Sequence, residues 1–392
     1  MAPQSDEVEV SPKVLLWART SSGVSPEVAT RRLGVEPQVL EDWETGRAKP
    51  PIAKLEDLAE IYHRSLATFL LHDPPREPAP PADLRVLSGV PKSVFSDLTL
   101  LAFRRARLVQ EVATELGERP TGHGLEDLQG LVTGLSTETA AGRVAARLGA
   151  YDQEPPRFEN PYQSLSHWRG LIERLGVIVL QLAMPVFDAR GFTLSDTPWR
   201  VIVVSRNDRV EARSFTLLHE FAHLLKKKTG VCNLGGETDE SQAPDTEIWC
   251  NGFAGSFLVP KASLLNNLRP WPKSESTPPE EIHRLSTRYR VSETVILRRL
   301  LHLGLISTTE YRESSEVRQA SSSRGAPPSQ REVKRNVPLE RFSEFGAPFL
   351  GMVLRGASDG RLALTDLAEI LDVRLKHLPA ISDRLSRKSI GT

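Results

Sequence analysis

The stretch "RSFTLLHEFAHLLKKK", residues 213–228, restricts the fold more than any other. Placed on a helix at about 100° per residue, Phe215, Leu218, Ala222 and Leu225 form one apolar stripe. Leu217, Phe221 and Leu224 form a second stripe beside it, and Thr216, His219, Glu220, His223 and Lys227 share the remaining face. A helix apolar around most of its girth has to lie inside a core. The two histidines and the glutamate therefore project from a buried element into a polar site, which is not how solvated surface histidines are presented.

The spacing suits a metal. Imidazoles at i and i+4 lie one turn apart, so His219 and His223 can both reach one Zn²⁺ at about 2.0–2.1 Å. Glu220 then stands beside the ion, placed to take a proton from water and pass it to a leaving amine. An HExxH arises by chance in about one chain in a hundred of this composition, and the competing reading is a pair of packed histidines on a core helix. A catalytic zinc keeps a third protein ligand and one open position. A metzincin continuation needs a glycine at position 226 and a histidine at 229, where this chain has Lys226 and Thr229. The third ligand must come from elsewhere. In "DTEIWCNGFAGSFLVP", Glu247, Asn251, Ala254 and Gly255 share one helical face whose small residues permit close approach of another helix. Glu247 leads as the ligand, with Asp245 and Glu240 as alternatives. Against it stands an ordinary first-turn glutamate favoured by the helix dipole. Mn²⁺ and Fe²⁺ also suit such donors.

Around this centre the chain is mostly helical. "SPKVLLWARTSSG", "SPEVATRRLGV" and "EPQVLEDWETG" are short helices, the first two capped at Ser11 and Ser25 and the last two closed by Gly34 and Gly46. The runs "VIVLQL" and "WRVIVVS" read as strands. The expected divisions are a helical domain over 1–75, a proline-rich linker over 76–94, and a helical connector over 95–155. A catalytic domain over 156–312, a flexible linker over 313–337 and a small helical module over 338–392 complete the chain. Formal net charge is zero across 392 residues, so no global pull toward nucleic acid or membrane is implied. No apolar run is long enough to span a bilayer, no leader is evident, and the only cysteines are Cys232 and Cys250. A soluble, cytoplasmic protein is expected.

The paired motifs "RSFTLLHEFAHLL" and "EIWCNGFAGSFLVP" resemble the ImmA/IrrE-type metallopeptidases over roughly residues 160 to 312, and "RGFTLSDTPWRVIVVS" looks like that family's approach strands. The resemblance implies that His219, His223 and Glu247 are zinc ligands and that Glu220 is the catalytic base. It also implies a protein substrate, a repressor or antitoxin-like regulator cleaved in stress, phage-related or toxin–antitoxin responses. Residues 11–72 are similar to XRE-type helix-turn-helix domains, with a WExGxxxP signature at Trp43, Glu44, Gly46 and Pro50. The fold class that follows is α+β, mostly helical. It comprises an all-α helix-turn-helix domain, a helical connector, a zincin-like peptidase domain with a small β-sheet, and a helical C-terminal module.

Whether the first domain binds DNA is a separate question. Gln38 can read a base, and Arg31, Arg32, Arg47 and Lys49 can touch phosphates. Yet Glu36, Glu41 and Asp42 share the recognition stretch, and residues 1–75 carry eight Lys and Arg against twelve Asp and Glu, a net charge of −4. Protein recognition or homodimerisation is the alternative role. The competing function for the whole chain is a DNA-binding regulator or antitoxin-like binding protein whose metal site is structural or vestigial. Three smaller expectations complete the reading. Cys232 and Cys250 are buried fillers rather than a redox pair, Arg213 is a surface residue at a helix start, and a strand near "VIVVS" offers an edge to an extended peptide.

Overall fold

The computed structural model describes residues 7–75, 95–117, 124–227, 231–232, 245–271, 277–314 and 336–390, without the side chains of 231–232 and 388–390. The expected linker at 76–94, most of that at 313–337, Glu240 and the Cys232 side chain lie outside the described residues. The chain divides into two compact units, one of residues 1–105 with 183–188 and one of residues 106–182 with 189–392.

In the first unit, α1 (Pro12–Ser21), α2 (Pro26–Leu33) and α3 (Pro37–Thr45) each open on a proline, whose fixed φ suits the first helical turn. Ser25 caps α2 by accepting the Val28 N–H, whereas Ser11 holds the cap position without that bond. Gly34 and Gly46 end α2 and α3 in the left-handed region at φ 66° and 78°. Two more helices follow, α4 (Ile52–Tyr62) and α5 (Leu66–Phe69). Leu15, Leu40, Trp43, Leu55 and Leu58 close the core between them. Glu44 of the WExG signature takes a two-pronged ion pair from Arg19 at 2.7 and 2.9 Å, tying α3 to α1.

The long helix α6 (Asp97–Leu116) precedes α7 (Gly124–Val132), α8 (Thr137–Leu148) and α9 (Pro161–Glu173). A four-stranded sheet follows, with β1 (Ile178–Leu182), β2 (Gly191–Leu194), β3 (Val201–Ser205) and β4 (Val231–Cys232) in the order β1-β3-β2-β4. β1 runs parallel to β3, while β2 pairs antiparallel with both β3 and β4. β1, β2 and β3 are buried along their whole length, as strands covered on both faces are. "VIVVS" is therefore an interior strand flanked on both sides, and it offers no edge to a peptide.

Across this sheet lies α10 (Val210–Leu225), in which every residue from Ser214 to Leu225 is buried. Its C-terminal half packs with α7, α8 and α9 and with α11 (Asp245–Leu258) in one hydrophobic core. The helices α12 (Lys261–Asn267), α13 (Pro279–Tyr289) and α14 (Glu293–His302) close the side beyond α11. Arg213 is not a free surface residue. It is half-buried and clamps the turn before α10, donating to the Asp208 and Arg206 carbonyls and to Gln181.

The C-terminal helices do not stand apart from the sheet. The helix Val337–Ser358 packs along β1, and its Ser343 carbonyl accepts from Arg169 of α9 and from Gln181 Nε2 of β1. Gly346 breaks that helix at φ 77°, ψ 161°, a conformation essentially reserved for glycine. A Cβ there would run into the Arg169 and Glu173 side chains. Gly346→Ala is expected to lower stability by about 1–3 kcal/mol, read from denaturant unfolding and from faster proteolysis of the C-terminal helices. Unchanged unfolding would show that the bend tolerates a side chain.

Candidate metal centre

His219 and His223 sit on consecutive turns of α10, and Glu247 sits in the first turn of α11. The two helices bring their ligating atoms together. The Nε2 atoms of His219 and His223 are 3.0 Å apart, His219 Nε2 is 3.2 Å from Glu247 Oε2, and His223 Nε2 is 3.1 Å from Glu247 Oε1. A tetrahedron with arms of about 2.0–2.1 Å has edges of about 3.3 Å, so three such donors form one face around a Zn²⁺-sized ion. Their chemistry asks for a cation. Two imidazole nitrogens turned toward one carboxylate need positive charge between them. In the protein alone only protons supply it, and the two rings divide that task unequally. Burial drives the His219 pKa down; for His223 burial acts the same way, but Cys250 and Glu247 outweigh it and raise the pKa. Burial also opposes ionisation of Glu247, yet hydrogen bonds from both histidines hold its carboxyl far below the usual range. Among the described residues this trio is the one cluster of at least three such side chains with ligating atoms this close. Asp245, the other described alternative, is not part of it.

The surroundings orient these donors. Asn251 stands one turn after Glu247 on α11, and its Oδ1 lies 3.0 Å from His219 Nδ1. An acceptor there keeps the proton on Nδ1 and leaves the Nε2 lone pair for a metal. The His223 side carries no equivalent: its Nδ1 is buried without a hydrogen-bond partner among the described residues, and the neighbouring Cys250 interacts with it electrostatically. Cys250 is fully buried, and burial raises its thiol pKa, so it is a neutral filler rather than a ligand. The histidines are 0% and 3% exposed but Glu247 is 31% exposed, so the site opens to solvent on the carboxylate side.

Glu220, which directly follows His219, is fully buried and lies close enough to His223 and Glu247 to feel both charges. Its Oε2 accepts the Thr193 hydroxyl at 2.7 Å, while Oε1 has no partner among the described residues. Burial pushes its carboxyl up to about 7. A carboxylate with one oxygen anchored and one unsatisfied, near neutrality in affinity, is equipped to take and return a proton. Two residues outside the motif make this arrangement possible. Thr193 comes from β2, and Gly191 lets that strand approach α10: a Cβ at 191 would stand 2.6 Å from Thr216 Cγ2 and 2.9 Å from the Val203 carbonyl. A glycine inside a strand-like run is the signal that could have revealed the close approach.

Residues 172–301 match the profile of the IrrE N-terminal-like domain. This central stretch is similar to that domain, which is of peptidase type. Residues 15–69 match a helix-turn-helix domain. No significant match was found among curated proteins or solved structures. Both profiles fall where the motifs lie. The IrrE N-terminal-like domain contains all four central residues, and the helix-turn-helix domain contains Gln38 and its four neighbouring cations.

In the helix-turn-helix domain, four of the five candidate DNA contacts are engaged internally. Arg47 pairs with Asp42 at 2.7 Å and Glu41 at 2.8 Å, Lys49 with Glu9 at 3.2 Å, and Arg32 with Asp97 at 3.4 Å. Gln38 donates to Asp42 at 3.0 Å. Arg31, exposed on the last turn of α2, has no such partner among the described residues. These surface pairs are individually weak, so they lower the field a phosphate would meet rather than lock the side chains.

Removing the Asn251 acceptor tests the arrangement directly. Asn251→Ala is expected to weaken zinc binding about 10–100-fold, measured by competition with a chromogenic chelator, with the fold retained by circular dichroism. Undiminished affinity would separate Asn251 from the metal site.

Proposed function

We propose that this protein is a zinc-dependent endopeptidase that cleaves a regulatory protein, a repressor or an antitoxin-like partner. The observation that carries the reading is the meeting of His219, His223 and Glu247 at tetrahedral-edge spacing beside a buried, half-satisfied Glu220. His219, His223 and Glu247 would hold the ion. When bound there, zinc supplies a Lewis acid that polarises a peptide carbonyl and lowers the pKa of an attacking water. The chain's own groups do the rest. Thr193 fixes one oxygen of Glu220, leaving Oε1 to accept the proton of the attacking water and to deliver it to the departing amine. Asn251 holds the His219 ring in its working tautomer. The open side at Glu247 gives an extended peptide its way in. Manganese or iron would suit the same donors, and metal analysis of the purified protein decides between them.

The regulatory target follows from the coupling of a peptidase-type domain to a helix-turn-helix domain in one chain. Within that reading the helix-turn-helix domain serves to find the partner. The acidic recognition stretch and the paired cations favour a protein surface over a DNA backbone, because high DNA affinity draws on several neutralised phosphates. A purely DNA-binding role leaves the geometry around Glu220 unexplained.

Co-expression with the repressor- and antitoxin-like proteins of its own host tests the proposal. The intact chain is expected to yield a shortened product, and Glu220→Gln to lower its formation by at least about a hundredfold while zinc content stays the same. Cleavage that persists in Glu220→Gln at equal metal loading would overturn the mechanism.

A further inference from the structure

Beside the metal centre lies a cavity of about 80 Å³, walled by Phe215 of α10, Ile248 of α11 and Val295 and Leu301 of α14. It shares residues with the surroundings of His219. Asn251, which orients His219, also lines the cavity, and the Phe215 ring lies 6.4 Å from the His219 ring. Ile248 directly follows the ligand Glu247 and is 42% exposed, so the cavity opens on the solvent-facing side. The volume admits one side chain and no folded element.

Its charge is unusual for an apolar pocket. Arg298 and Arg299 both line it, and no carboxylate does among the described residues. Arg299 is 2% exposed. Its Nε donates to the Val259 carbonyl at 2.7 Å and its Nη2 pairs with Glu138, but its Nη1 has no partner among the described residues. Glu138 thus answers the charge of Arg299 but not all of its donors. Arg298 reaches only the Tyr311 hydroxyl, at 3.1 Å, and has no carboxylate partner among the described residues. A buried unsatisfied donor carries a cost that an occupant with an acceptor relieves. A leucine side chain would fill the walls and leave both donors unmet; a lysine would be repelled.

We infer that this cavity is a specificity pocket for a glutamate side chain of the substrate. Its methylenes lie against Phe215, Ile248, Val295 and Leu301, and its carboxylate meets Arg298 and Arg299 Nη1. The inference rests on the peptidase reading above and adds to it a substrate preference.

The test uses the full-length zinc-loaded protein and a mixture of peptides from a digested proteome, with cut sites read by mass spectrometry. Cleaved bonds should carry glutamate at one fixed position relative to the cut, favoured over glutamine by about tenfold. In Arg298→Glu that preference should turn toward lysine and arginine, and in Arg298→Lys it should stay with glutamate. A binding measurement stands beside it. N-acetyl-glutamate amide added to the zinc-loaded Glu220→Gln protein should shift the methyl resonances of Ile248, Val295 and Leu301, and the glutamine and leucine amides should shift them far less. A leucine or phenylalanine preference unmoved by Arg298→Glu, or equal shifts from the leucine amide, would overturn the inference. Shifts from the glutamate amide without any cleavage would sink the peptidase reading and leave the pocket standing; neither shifts nor cleavage would sink both.

Discussion

The contact between α10 and α11 is the constraint on which the site depends. Two imidazoles one turn apart are easily made on any helix, but a carboxylate from another helix must arrive within about a tetrahedral edge of both. That requires α10 to be buried on the sheet side as well as the helical side, so that Glu220 turns to Thr193 of β2 while His219 and His223 meet Glu247 of α11. Ser214 to Leu225 are buried without a break, and α11 turns Cys250, Phe253, Ala254 and Phe257 into the same core. Glu247 and Asn251, one turn apart on α11, are then delivered to His219 together, Glu247 at its Nε2 and Asn251 at its Nδ1.

The same burial gives Glu220 a different character from Glu247, although both are glutamates beside the same histidines. Glu247 is hydrogen-bonded by both rings and partly exposed, so its charged form is strongly favoured. Glu220 has one hydroxyl and no water-filled side, so desolvation dominates and its proton affinity rises to about 7. One carboxylate is thereby suited to staying ionised and holding a cation, the other to exchanging a proton. Environments that push two carboxyl groups apart in this way mark the division between binding and acid–base roles.

Much of this was legible in the chain itself. The girth of apolar residues from Phe215 to Leu225 required burial, and the face shared by Glu247 and Asn251 permitted close approach of another helix; both features are local periodicities. Gly34 and Gly46 ended their helices as glycines after apolar runs do. The parts that were not legible are those made by distant pairings. Thr193 reaches Glu220 across 27 residues of chain, and nothing in its own neighbourhood marks it as a partner. "VIVVS" reads as a strand from composition, but its interior place depends on β1 running parallel to it and β2 returning antiparallel, which no local pattern encodes. Arg213 looks like a helix-start residue because the carbonyls it clamps lie in the preceding turn. Gly346 breaks a helix only to clear Arg169 and Glu173, residues far back in the sequence.

The helix-turn-helix domain shows why a motif can identify a fold and say little about its ligand. In WExGxxxP, Trp43 is buried in the core, Glu44 is consumed by Arg19, and Gly46 supplies a left-handed turn. Every one of these serves the packing of α3 against α1. What the domain binds is therefore written in the residues between them, Gln38, Glu41, Asp42 and Arg47, and these form one hydrogen-bonded set in which acids outnumber the cation. A phosphate approaching Arg47 must displace Asp42 or Glu41 and then remain beside both, since neither can move farther than its own side chain. A cationic or neutral protein surface meets no such opposition. The chain thus keeps the helix-turn-helix scaffold while the exposed acids around Gln38 oppose a phosphate, which is the physical basis for the protein-recognition role proposed above.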